Sequence, residues 1–404
     1  RRIIQVDKGI VGPVEPRTKT VQIRQVGDYP ATSESHRAVA KKLSSPLLMG
    51  PPICDELMAF VEHTFSEEEA GVVRRLHPLR GRTASDVARA EKRPVDEVQP
   101  LLEQLANRKR AIAADRPGQN RRYRLMPVMP GIFEMVLIGE SPESLTDWHR
   151  RFAELVEILF ETGYTLDYLD HPAPFVRFLP VGRALGSHPM ALPCEQLEVV
   201  TDRYDTFGVG HCQCRTSMET MGQGCDKPLE VCTVMGEWAE RGVDAGWLRR
   251  VSREELLDIK REAESHGMVT WIMNVESAKG QVSCSCCGCC CKAMRMVNEF
   301  NAPAAMAPPH FVPRFDTSAC GYCTRCVRAC PMGAITIDTS RETIQHQPER
   351  CIGCGQCALA CDERKAIQME PVPEFRLPYK SWFSFLLRHG PGALKTSWNA
   401  WRKR

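Results

Sequence analysis

Residues 320–361 read CGYCTRCVRACPMGAITIDTSRETIQHQPERCIGCGQCALAC, and the cysteines in this stretch decide how the rest of the chain is read. Cys320, Cys323, Cys326 and Cys330 follow the pattern C-x-x-C-x-x-C-x-x-x-C-P, and Cys351, Cys354, Cys357 and Cys361 repeat its spacing. Thiolates so spaced wrap a four-iron, four-sulfide cube, and the duplication predicts two [4Fe-4S] clusters in one small fold. Such a segment moves electrons one at a time, which bounds what the remaining residues serve.

The paired motif resembles bacterial two-cluster ferredoxins over residues 315–372. In that family the first three cysteines of one motif and the last of the other bind the same cube. The resemblance implies Cys320, Cys323, Cys326 and Cys361 around one cluster, and Cys351, Cys354, Cys357 and Cys330 around the other. It also implies short strands at Ala334-Ile335-Thr336-Ile337 and Ala366-Ile367-Gln368-Met369, pairing around the crossed halves. Asp362 stands where the family usually has a proline, which puts the local turn in doubt but not the ligands. A second departure is charge: residues 313–372 hold seven Arg or Lys and seven Asp or Glu, whereas free ferredoxins of this type are acidic. Arg325 and Arg328 lie inside the first motif, where positive charge favours the reduced cluster and raises its potential.

Twenty cysteines among 404 residues are either a disulfide framework or a store of thiolate ligands. Six of them fall within residues 284–291, too close together for well-formed disulfides. Metal-sulfur chemistry in a reducing cytoplasm, a setting that suits anaerobic metabolism, is the expectation. The net charge of +3 favours neither nucleic acid nor an acidic partner, so any basic site has to be local. Arg1-Arg2 opens the chain, but Asp7, Lys8, Glu15, Arg17 and Lys19 interrupt the apolar run an export signal needs. No stretch has the apolar length of a membrane span, so a cytoplasmic protein, at most peripheral to a membrane, is expected.

Ten cysteines lie in the middle region: Cys212, Cys214, Cys225, Cys232, Cys284, Cys286, Cys287, Cys289, Cys290 and Cys291. One or two further iron-sulfur clusters are expected there, with zinc as the alternative because four thiolates also suit a tetrahedral zinc site. The working grouping puts Cys212, Cys214, Cys225 and Cys232 on one centre and a subset of Cys284 to Cys291 on another; mixed grouping between the loops stays open. His211 and His310 read as hydrogen-bonded residues rather than ligands, and Cys54 and Cys194 as buried apolar residues.

The expected fold class is α+β and multidomain. Residues 1–50 read as an extended arm with a short strand candidate at Val21-Gln22-Ile23-Arg24. Residues 51–126 read as a winged-helix-like domain, with helices over 54–64, 66–75, 83–90 and 94–108, the last kinked at Pro100, and then a hairpin. Residues 127–200 connect, carrying an amphipathic helix over 141–160 and a strand near 175–181. Residues 201–302 form an irregular, cysteine-rich α/β part, with helices over 228–241, 252–266 and 293–300 and a strand over 268–275. A linker at 303–313 precedes the two-cluster domain at 314–372, and a basic amphipathic tail, 373–404, follows it.

Two segments suggest partners. Residues 107–124 carry Arg108, Lys109, Arg110, Arg116, Arg121, Arg122 and Arg124 against the single acid Asp115, a wing that can grip phosphates. The helix before it begins at Asp96-Glu97 and carries Glu103, which a duplex repels. Protein docking is therefore preferred to nucleic acid. The tail from Phe375 has seven Arg or Lys and no acid, with Trp382, Phe385 and Leu386 on one helical face and Leu394, Trp398 and Trp401 on another. It suits a partner groove or, alternatively, a membrane interface.

Through the motifs Cys212-Gln213-Cys214-Arg215, Gly224-Cys225-Asp226-Lys227-Pro228 and Cys286-Cys287-Gly288-Cys289-Cys290-Cys291, the chain resembles prokaryotic multi-cluster iron-sulfur proteins with a C-terminal ferredoxin domain. That resemblance brings no established substrate. The expected function is an electron-transfer subunit, without a catalytic residue of its own, that links a donor to a partner oxidoreductase in a larger complex. The alternatives are a redox- or oxygen-sensing DNA-binding regulator and an iron-sulfur enzyme whose active cluster lies in the middle region.

Overall fold

The computed structural model describes residues 3–16, 32–115, 117–118, 120–168, 174–185, 188–277, 279–302 and 306–402. Helices and antiparallel sheets alternate along the chain, which forms two compact units. One gathers residues 1–18, 171–215 and 223–391, the other residues 19–170, 216–222 and 392–404.

The second unit is mainly helical. Ser66 opens the Glu67–Val73 helix with a reciprocal cap: its hydroxyl accepts from the Glu69 N–H, and the Glu69 carboxylate accepts from the Ser66 N–H. Thr83 and Asp86 do the same for Ala84–Glu91. The helix expected from Pro94 runs as Val95–Glu103 straight through Pro100 and widens into a π-turn at Gln104–Arg108, so the irregularity follows the proline by about one turn. Three short strands, Arg82–Thr83, Arg122–Arg124 and Ala113–Ala114, form a sheet with Arg122–Arg124 at its centre. The amphipathic helix Asp147–Glu161 buries Phe152, Leu155, Val156, Leu159 and Phe160 and packs on Asp55–Thr64, with Trp148 stacked on His63 and on Phe152.

The first unit holds all the clustered cysteines. Its six-stranded antiparallel sheet runs in the order Val176–Phe178, Val269–Met273, Gly280–Cys286, Glu230–Gly236, Phe207–His211, Arg249–Val251. Residues 230–236 correct the expectation of a helix over 228–241. This stretch is an inner strand covered on both faces, so its apolar residues run without alternation, and β-branched Val231, Thr233 and Val234 suit the pleat. The helix starts only at Glu237, after Gly236 turns the chain with φ +73°. The Arg253–Ser265 helix starts where expected, capped by the Ser252 hydroxyl, and ends at Gly267 with φ +70°.

The C-terminal motifs lie on two short helices, Arg325–Ala329 and Gln356–Leu359, each entered through a left-handed residue, Thr324 or Gly355. Both expected strands form, but not with each other: Ile335–Asp338 pairs with Thr343–His346, and Ile367–Pro371 pairs with Phe311–Phe315. The Phe311–Phe315 strand begins inside the segment read as a linker.

The N-terminal segment differs more from its reading as an extended arm. Ile4–Asp7 and Ile10–Pro13 form a hairpin whose second strand pairs with Ile335–Asp338, making a four-stranded sheet with the last domain. Val11 is buried there. Ser33 then caps a helix, Glu34–Leu43. The strand candidate at Val21-Gln22-Ile23-Arg24 lies outside the described residues. At the other end, Trp382–Arg402 is one helix that continues through Gly390-Pro391-Gly392. Among the described residues no helix is long and apolar enough to cross a membrane.

Candidate metal centres

The two C-terminal motifs line two cavities. The first, about 360 Å³ with open solvent included, is bordered by Cys320, Cys323, Cys326 and Cys361 together with Ile337, Ile344 and Ile367. The second, about 330 Å³, is bordered by Cys330, Cys351, Cys354 and Cys357 together with Met332, Ile335 and Met369. Each wall thus takes three thiols from one motif and the fourth from the other. The crossing has a local cause: Cys326 and Cys330 leave the Arg325–Ala329 helix region toward different cavities because the chain turns at Cys330, where the helix ends in extended backbone.

These walls fit a thiolate-bound cluster. Burial pushes the thiols of Cys326 and Cys351 up to about 12, and burial raises Cys330, Cys354 and Cys357 as well. Thiolates in so apolar a wall need a cationic group to keep them deprotonated, which is what bound iron provides. Backbone donors add to the fit: the Tyr322 N–H points to Cys320 Sγ and the Ala334 N–H to Cys330 Sγ, each at 3.3 Å. Cys323 is the exposed member, and its thiol is held below the usual range, first by the Arg325 backbone N–H.

In the middle region the sheet does the grouping. Cys284 and Cys286 lie two apart on the Gly280–Cys286 strand and so share a face, and Cys232 is directly opposite Cys284 on the neighbouring strand, with 3.4 Å between sulfurs. Cys291, at the start of the Lys292–Phe300 helix, meets both Cys286 and Cys214, and Cys212 adjoins Cys214. A second set forms where the strand ends: Cys287, Cys289 and Cys290 meet Cys225, and all four sulfurs lie within 4.8 Å of one another. The thiols therefore group across the loops, with Cys225 leaving the first-loop set and Cys212, Cys214 and Cys232 joining second-loop partners.

Two buried cations sit among these thiols. Arg215 is 1% exposed, and its Nη1 donates to the Ser285 carbonyl at 3.1 Å and to Cys287 Sγ at 3.9 Å. Lys260 Nζ donates to the Ser283 carbonyl at 2.8 Å and to Ser285 Oγ at 3.2 Å; burial brings its ammonium down to about 8, against the opposing pull of Cys284 and Cys232. In the sequence Arg215 stands only as the last residue of the Cys212-Gln213-Cys214-Arg215 motif, without a role, and Lys260 is unmarked. The signal for Lys260 was its place on the buried face with Leu256, Leu257 and Ala263, where a lysine needs a reason to be.

A hydrogen-bonded joint ties the middle thiols to the C-terminal motifs. Asn298 Nδ2 donates to the Gly288 carbonyl at 3.1 Å and the Pro331 carbonyl at 3.0 Å, and Arg350 Nη2 donates to Asn298 Oδ1 at 3.3 Å. Gly288 approaches so closely that a Cβ there would lie 2.0 Å from the Pro331 oxygen. Cys286 and Cys291 belong to the same buried core as Cys326, Cys330, Cys354 and Cys357.

The other singled-out residues behave plainly. His310 is buried and bonded to Glu195 at 2.8 Å, and Cys54 is buried with its thiol pushed up to about 12 by desolvation. Cys194 is also buried. The basic wing is largely neutralised. Lys109 pairs with Glu69 and Arg124 with Asp115, each at 2.6 Å; Arg110 pairs with Glu140 and Arg121 with Glu103; Arg122 donates to the Gly81 carbonyl at 3.1 Å. Arg116 lies outside the described residues. In the tail, Phe385 is buried against Phe175, Val275 and Tyr379, leaving Phe383, Leu386 and Leu387 exposed. The side chains of Leu394 and Trp401 lie outside the described residues.

Residues 319–364 match the 4Fe-4S dicluster domain family, which spans all eight C-terminal cysteines. The chain is 34% identical to epoxyqueuosine reductase of Burkholderia pseudomallei (strain K96243) over 90 residues, 18% of this chain and 22% of that enzyme. It is 42% identical to the putative oxidoreductase UacF of Escherichia coli (strain K12) over 45 residues, 11% of this chain and 7% of that protein. The chain thus spans less than a quarter of either relative. No solved structure matches.

Proposed function

We propose that this chain, an iron-sulfur binding protein with a C-terminal ferredoxin-like dicluster domain, relays single electrons between a donor and a partner oxidoreductase. The observation that carries this reading is the shared core: thiols of the middle region and of both C-terminal cavities pack in one buried cluster, braced by Asn298 between Gly288 and Pro331. Cys320, Cys323, Cys326 and Cys361 hold one cluster, and Cys351, Cys354, Cys357 and Cys330 the other. When bound, [4Fe-4S] clusters supply reversible one-electron chemistry. The residues around them exclude water with Ile337, Ile344, Ile367 and Met369, and present one exposed thiol, Cys323, toward a partner. Middle-region thiols beyond those of one compact set serve a further cluster. The oxidoreductase names of the two partial relatives agree with a redox setting.

Residues 51–126 take the part of a winged-helix-like domain that docks protein. Four of its basic side chains are spent on carboxylates, which leaves little charge for a phosphate backbone. The exposed Phe383, Leu386 and Leu387, with Arg388 nearby and no acid in the tail, serve as a second docking element. Anaerobic copurification of the tagged full-length chain from its host tests the reading. Recovery of an oxidoreductase whose turnover reduces the clusters is expected. A redox-dependent gel shift on DNA without such a partner would overturn it.

A further inference from the structure

The four sulfurs of Cys225, Cys287, Cys289 and Cys290 are too close together for a cube. In a [4Fe-4S] centre each thiolate binds a different iron, which spreads the cysteine sulfurs roughly 6 Å apart. The C-terminal cysteines instead stand around the walls of two cavities, four to each. In the middle set, Cys225 is 4.0 Å from Cys287 and 3.8 Å from Cys290, and Cys289 is 3.6 Å from Cys290. Four sulfurs at about 2.3 Å from one ion at a tetrahedral centre are about 3.8 Å apart, by simple geometry. We propose that these four cysteines form a mononuclear, tetrahedral thiolate site for a single divalent metal ion, zinc first, separate from any iron-sulfur cluster.

Sequence and fold both build this cage. The strand Gly280–Cys286 delivers Cys287 at its end, and Gly288 lets the turn close against Pro331, where any side chain would collide. The turn then returns Cys289 and Cys290 toward Cys225. The set is closed by protein ligands on all four sides, as structural zinc sites are.

Arg215 supplies the independent observation. Its guanidinium is buried beside Cys287, yet among the described residues Nε and Nη2 have no hydrogen-bond partner. Unpaired guanidinium nitrogens in a protein interior are costly unless negative charge faces them. Four thiolates around a dication carry a net charge of −2, which answers that need, and the fork-shaped guanidinium can reach more than one sulfur where a lysine would reach one. The remaining six middle thiols, Cys212, Cys214, Cys232, Cys284, Cys286 and Cys291, lie outside this cage; Cys232 and Cys284, 3.4 Å apart, are by the same measure too close to sit on two irons of one cube, so a cluster there takes at most one of them. This proposal does not rest on electron transfer.

Metal and acid-labile sulfide analysis of anaerobically prepared full-length protein tests it. Cys225→Ser is expected to lower the metal content by one ion per chain and leave acid-labile sulfide unchanged, because a mononuclear site contains no inorganic sulfide. Sulfide that falls together with several irons, or metal content that does not change, would overturn the proposal. Should the variant fail to fold, X-ray absorption of the wild-type protein decides. A zinc or iron ion with four sulfur neighbours at about 2.3 Å and no neighbouring metal supports the site, and zinc-free protein in which every iron has iron neighbours refutes it. Arg215→Met keeps all four ligands and is expected to weaken retention of that ion against a chelator about tenfold.

Discussion

Arg325 shows how a single side chain sets the character of a thiol site. It lies beside Cys323, but Glu363 takes its guanidinium in a two-pronged pair at 2.5 and 2.9 Å. The charge read from sequence as raising the potential is therefore partly cancelled at the surface. Arg325→Gln is expected to lower the potential of the Cys320, Cys323, Cys326 and Cys361 centre, and Glu363→Gln to raise it, each on the order of tens of millivolts and less at high salt. An anaerobic redox titration in which both variants match wild type would refute this. The eight C-terminal cysteines were legible because their spacing is itself the ligand pattern. Arg215 and Lys260 were not, because a cation earns meaning only from what folding places beside it. The middle cysteines were visible as ligands, but their partners depend on which strand lies opposite which.

Among the elements, the N-terminal hairpin is the clearest case of a piece that borrows its stability. Two four-residue strands alone are marginal. Here Ile10–Pro13 gains a partner in Ile335–Asp338 and buries Val11 in the core shared with Cys326 and Cys330. Val11→Ala is expected to cost about 1–2 kcal/mol and to hasten loss of iron absorbance in air; unchanged melting and bleaching would show that the hairpin only lies on the surface. The Arg253–Ser265 helix carries a pH effect. Glu264 is raised to about 7, chiefly by burial and by Glu198, against Lys260, Arg183 and Arg261. The folded chain keeps a proton there that the unfolded chain has lost above about pH 4.5, so stability falls as pH rises toward 7. Glu264→Gln is expected to raise the melting temperature at pH 8 by about 2–4 °C, and by less at pH 5.5, after allowance for partial exposure. Equal gains at both pH values would sink this assignment.

At the scale of the molecule, each of the two units has its own kind of interior. The first packs thiols of the middle region, Cys284, Cys286 and Cys291, with thiols of both C-terminal motifs in one core, whereas the second buries Phe60, Phe65, Phe133, Phe152 and Phe160 in an ordinary apolar interior. Metal binding is folding energy where ligands line the core. Removing metal with a chelator under reducing conditions is expected to open residues 174–391 to protease while residues 32–168 stay resistant. Equal protection of both after complete metal loss would show that the thiol-rich core folds without metal.

By itself the sequence determined the chemistry. The repeated C-x-x-C-x-x-C-x-x-x-C spacing marks an iron-sulfur dicluster domain because three closely spaced thiols of each motif can reach one cavity wall, with the fourth crossing to the other. It also placed the capped helices at Ser66, Thr83 and Ser252, whose signals are local. Only the tertiary structure decided that residues 4–13 complete the last domain, that residues 230–236 are an inner strand, and that Cys225 stands with Cys287, Cys289 and Cys290. Each of these depends on pairing between residues far apart in the chain, where the stabilising partner is set by register and burial rather than by any neighbouring residue.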